Sequence, residues 1–167
     1  SATDGWAVGE RTLDDGNVVG AILHYTGDQW ADVPVTTDIR LFAVQMVSAD
    51  EGWACGIFGL LHYSGGQWTP VVVQTEVPVL MQSLAMLSPA EGWIIGKADD
   101  DGPDIALHYA DGRWTSQRLS ARAAVSGIQM LAPDEGWAAG TFGILHYTGG
   151  TWQRVERPVA KPLHDIA

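Results

Sequence analysis

The chain has 167 residues, 46% of them hydrophobic, and a formal net charge of −11 at pH 7. That length and apolar content suit one folded domain with a substantial core and exclude a disordered chain. The acidic balance excludes a nucleic-acid face and an anionic membrane surface, both of which need basic partners. No apolar run has the length of a membrane span.

Taken in chain order, the first recognisable element is TDGWAVG around Trp6. A long acidic loop from Glu10 to Gly20 follows, then GAILHYTGDQW ending at Trp30. The same pair of motifs returns three times. DEGWACG at Trp53 leads to GLLHYSGGQW ending at Trp68, and AEGWIIG at Trp93 leads to IALHYADGRW ending at Trp114. DEGWAAG at Trp137 leads to GILHYTGGTW ending at Trp152. The spacing of the first tryptophans, 40 to 47 positions, is the period of propeller blades. All eight tryptophans and all four tyrosines lie in these motifs, which leaves none for a unique aromatic site.

Each unit reads as four short strands. In the second unit they are LFAVQMVS from Leu41, GWACG, GLLHYS after a tight turn at Ile57-Phe58, and QWTPVVV after Gly65-Gly66. Alternating runs bounded by Gly, Asp and Pro are strand and hairpin signals, and no segment has a helical period. The pattern predicts an all-β propeller of four four-stranded antiparallel blades. Blade 1 spans 1–36 plus a closing strand at 161–167; blades 2, 3 and 4 span 37–76, 77–120 and 121–160. The tail KPLHDIA matches the innermost-strand position, so it is expected to complete the first blade and close the ring. The chain reads as cut at a blade seam. A monomeric four-bladed ring is the first expectation; a two-chain eight-bladed ring, or a piece of a longer array, is the second.

The repeated DGWAVG…ILHY.GG.W pattern resembles the bacterial propeller repeats of the Ycf48-like family and is similar to the Asp-box (BNR) group. The likeness covers nearly the whole chain and implies a propeller, with more blades than four in typical members. It also leans towards an extracytoplasmic site. The Asp-box turn signature is degenerate here: only Asp28 and Asp111 place an acid near the turn.

Four histidines, His24, His62, His108 and His146, recur at one strand position. A repeated residue on opposite sides of a ring cannot share one ion, so each is expected to hydrogen-bond a backbone carbonyl or a turn group. Cys55 fills a slot taken elsewhere by Val8, Ile95 and Ala139 and reads as a small buried hydrophobe. The tryptophans read as core, with a lectin stacking one sugar per blade as the alternative. A sialidase-like hydrolase needs converging arginines. Arg11, Arg40, Arg113, Arg118, Arg122, Arg154 and Arg157 occupy unlike positions in the repeat, so no enzyme is expected.

The loops that vary between units mark the working face. Blade 1 offers Arg11, Asp14 and Asp15, and blade 2 offers Arg40, as candidate ligand or partner contacts. Asp99, Asp100, Asp101 and Asp104 form a candidate Ca²⁺ set on a Gly-containing loop. The tight turns GIFG and GTFG present Phe58 and Phe142, either tucked under a neighbouring connection or exposed as anchors for a partner. The functional expectation is a non-enzymatic binding or scaffold module with a protein or small-glycan partner. A lectin-like propeller is the alternative, and a sialidase-like remnant the third reading.

Overall fold

The structure is a computed structural model that describes residues 2–35, 37–98, 102–120, 122–155 and 162–166. It is a four-blade β-propeller with no helix among the described residues. The first sheet holds β1 (Gly5–Thr12), β2 (Val18–Tyr25) and β3 (Trp30–Asp32). The second holds β4 (Leu41–Met46), β5 (Glu51–Gly56), β6 (Gly59–Ser64) and β7 (Gln67–Val71). The third holds β8 (Leu80–Ser88), β9 (Glu91–Lys97), β10 (Asp104–Ala110) and β11 (Arg113–Arg118). The fourth holds β12 (Val125–Ala132), β13 (Glu135–Gly140), β14 (Gly143–Thr148) and β15 (Thr151–Val155). Every sheet is a meander in which chain neighbours pair antiparallel.

Turn chemistry sets the outer hairpins. Gly65-Gly66 and Gly149-Gly150 both take positive φ, and Asp111-Gly112 does the same with φ of 52° and 74°. Two successive left-handed residues match the right-handed twist of the strands they join. A bulge recurs near the start of each inner strand, between Leu41 and Ala43, Met81 and Ser83, and Val125 and Gly127. The repeat therefore carries its irregularity with it.

The core lies between sheets, as three clusters that each join consecutive blades. An aromatic relay runs through them. Trp6 packs on Tyr63 and Trp68 of the next blade, at ring separations of 4.9 and 5.5 Å. Trp53 packs likewise on Tyr109 and Trp114, at 5.0 and 5.4 Å. Trp93 packs on Tyr147 and Trp152, at 4.6 and 5.9 Å. In each case the two tryptophans meet edge to face, the arrangement their ring quadrupoles favour.

The tail expected to close the ring lies elsewhere than in a ladder with β1. The first sheet has three strands among the described residues, and 162–166 forms no ladder and touches β12. Ser126 Oγ donates to the His164 carbonyl at 3.0 Å, and a Cβ on Gly127 would overlap Asp165. At the equivalent Gly56, Gly96 and Gly140 a Cβ would strike the inner-strand backbone, whereas at Gly9 it meets nothing within 4 Å among the described residues.

Candidate functional site

The repeated histidines are structural, and the turn group that each one bonds is a carboxylate. Each ring stacks on the tryptophan opposite it in the ladder, at 4.0 to 4.1 Å. Nε2 of His24 lies 2.6 Å from Asp4, and those of His108 and His146 lie 2.5 Å from Glu91 and Glu135; His62 pairs with Glu51 in the same way. Strand alternation explains the set. Glu51 and Trp53 share one face of β5, so His62 opposite Trp53 sits diagonal to the acid. Trp53, Trp68, Trp93, Trp114 and Trp152 are buried, so they offer no open face on which a sugar could stack. Cys55 is also buried, which pushes its thiol well above the ordinary range, and it is no nucleophile. The Tyr147 phenol is raised too, first by burial and then by the charges of Glu91 and Asp134.

Asp104 of the candidate Ca²⁺ set is 1% exposed and already committed. Its Oδ2 accepts the backbone N–H groups of Ala123 (2.6 Å) and Ala124 (3.1 Å), and its Oδ1 accepts that of Val125 (3.2 Å). It fastens blade 3 to the entry of blade 4. Asp99, Asp100 and Asp101 lie outside the described residues. Among the described residues no group of three or more His, Cys, Asp or Glu is placed to hold a metal ion.

The blade-1 candidates are local. Both carboxylate oxygens of Asp15 accept from Asn17, one from its backbone N–H at 2.9 Å and one from its side-chain amide at 2.8 Å. Asp14 is exposed on the same loop. Arg11 pairs with Asp32 at 2.6 Å, and Glu10 beside it reaches Arg40 at 3.6 Å.

Arg40 and Phe58 come together. With Phe42, Ile57, Leu80, Gln82 and Lys97 they line a groove of about 350 Å³ between blades 2 and 3. Phe58 is 58% exposed and sits at φ 57°, a left-handed conformation that is costly for a bulky side chain. Phe142 is 47% exposed but belongs to a separate patch on blade 4. There the Arg122 guanidinium lies over its ring at 5.8 Å, and Arg154 donates to the carbonyls of Phe142 (2.5 Å) and Arg122 (3.0 Å).

Topology gathers cations that look scattered in the sequence. Arg11, Arg40, Lys97, Arg118, Arg122 and Arg154 lie at or next to strand ends on the variable-loop face; of the described cations only Arg113 lies at the opposite turns. In these meanders the ends of odd-numbered strands and the starts of even-numbered ones share a face, so unlike repeat positions converge. Phe42 was hidden for another reason: it is the extra residue of the Leu41/Ala43 bulge, which simple alternation does not register.

No family model and no curated protein matches the chain. Among solved structures, the chain is similar to YCF48 bound to D1 peptide, with 19% identity and a TM-score of 0.64 over 77% of this chain and 43% of that one. It is also similar to a catalytically inactive virginiamycin B lyase from Staphylococcus aureus with quinupristin, with 13% identity and a TM-score of 0.67 over 95% and 57%. A third is the extracellular domain of BT4673 from B. thetaiotaomicron, with 10% identity and a TM-score of 0.64 over 92% and 23%. The chain thus spans about half or less of the length of these structures, and at such identities the likeness establishes the propeller fold.

Proposed function

We propose that the chain is a peptide- or protein-binding module whose contact surface is the variable-loop face, centred on the groove between blades 2 and 3. The observation that carries the reading is Phe58. A bulky apolar side chain is held in a left-handed turn and turned to solvent, where it adds nothing to the core. Asn or Gly would make the same turn at lower cost, so the ring has a use other than folding.

The groove defines the chemistry of its ligand. Phe42, Phe58, Ile57 and Leu80 supply apolar surface, and Arg40 and Lys97 supply positive charge at its margin. A peptide with an apolar side chain next to a carboxylate satisfies both. The solved YCF48 structure holds a peptide, which supports the reading at the level of a shared fold. The glycan alternative lacks comparable support because five of the repeated tryptophans are buried.

Panning displayed random peptides against the wild-type chain and the Phe58→Asn variant tests the proposal. The expected result is enrichment of acidic-apolar peptides by the wild type alone. Equal enrichment by both proteins, or binding only on a glycan array, overturns it.

A further inference from the structure

We propose that blades 1 and 4 present the two halves of the blade-to-blade interface to each other across a pair of chains, so that two copies close one eight-bladed ring. The inference is independent of the ligand-binding reading. Each junction inside the chain has a donor side, the second-strand tryptophan of one blade, and an acceptor side, the Tyr and Trp of the next. Three such junctions are filled. Blade 4 carries a fourth donor, Trp137, whose one ring contact among the described residues is with its own His146. Blade 1 carries a fourth acceptor, Tyr25 with Trp30, whose ring contact among the described residues is with each other.

Burial separates these two flanks from the filled junctions. Trp30 is 52% exposed, whereas its counterparts Trp68, Trp114 and Trp152 are 6 to 9% exposed. Leu23 is 39% exposed, and its counterparts Leu61, Leu107 and Leu145 are fully buried. On the donor side Leu131 is 62% exposed, although Val47 and Leu87 at the same repeat position pack against the inter-blade clusters. The flanks are therefore apolar, and complementary in the way that already joins blade to blade three times.

The occupant that supplies both missing halves is a second copy of this chain. Trp137 of each copy meets Tyr25 and Trp30 of its partner, giving two identical junctions about a two-fold axis. Eight blades lie within the range of closed propellers.

Sedimentation equilibrium of the full chain over a range of concentrations tests the proposal, with Trp30→Glu and Trp137→Glu as variants and circular dichroism to verify their folding. Wild type is expected at twice 17.9 kDa, and each variant alone at 17.9 kDa. An equimolar mixture of the two variants is expected to re-form a two-chain species, because one junction then joins an intact Trp137 flank to an intact Trp30 flank. Should Trp137→Glu fail to fold, Leu131→Glu takes its place, as it alters the same flank at an exposed position. A wild-type mass of 17.9 kDa throughout overturns the proposal and leaves the flanks to another occupant. A mass above two copies overturns ring closure, and so does a variant that alone keeps the doubled mass.

Discussion

A buried carboxylate costs several kcal/mol unless its oxygens are hydrogen-bonded, and Asp104 meets that demand with three backbone N–H groups from the next blade. Asp104→Ala leaves those donors buried without a partner, so a loss of about 3 kcal/mol is expected in urea unfolding. A change below about 1 kcal/mol would contradict the clamp. Phe58 behaves oppositely. Phe58→Asn relieves a left-handed residue and removes a ring that is more than half exposed, so stability is expected to hold or to rise by up to about 1 kcal/mol in the same measurement. The sequence showed that Phe58 and Asp104 stand in loops that depart from the repeat. It could not show that one is exposed and the other buried, because that depends on how the neighbouring blade's entry folds over each loop.

Strands and hairpins were legible because their signals are local: alternation, Gly-Gly turns and a tryptophan every 40 to 47 positions. Pairing across blades was not, since the Trp-to-Trp relay and the Asp104 clamp join residues whose adjacency exists only in three dimensions. The relay makes a prediction at this scale. Trp93→Ala empties a filled junction and is expected to cost about 3–5 kcal/mol. Trp30→Ala is expected to cost less than about 1 kcal/mol when measured at concentrations where the chains are single copies and this flank is open. The glycines repeat the contrast. Gly96→Ala drives a Cβ into the Leu80 carbonyl and is expected to destabilise by about 2 kcal/mol, and Gly9→Ala by less than about 0.5 kcal/mol. Thermal unfolding of the four variants checks both pairs; equal costs within either pair would mean that all four flanks are packed alike.

Across the whole molecule the two faces differ in charge. Asp4, Asp28, Asp50, Glu51, Glu91, Asp111, Asp134 and Glu135 lie at or beside the uniform turns, four of them spent on the histidine stacks. The variable-loop face holds six of the seven described cations together with Phe58 and Phe142, but it also holds Glu10, Asp14, Asp15, Asp32, Asp38, Glu76 and Asp104, so its charges nearly balance where the other face is strongly acidic. The net charge of −11 hides this polarity, which arises only when the meander sorts strand ends onto two faces. Phe58 beside Arg40 and Lys97 suits an acidic-apolar ligand at that groove, and the other face holds the repeat together. The most direct measurement is a fluorescence-anisotropy titration of one acidic-apolar peptide, selected on the wild type, into the wild-type and Phe58→Asn proteins. The account predicts a loss of affinity of at least about tenfold in the variant with its unfolding midpoint retained. An unchanged dissociation constant would contradict the assignment of the groove as the binding site.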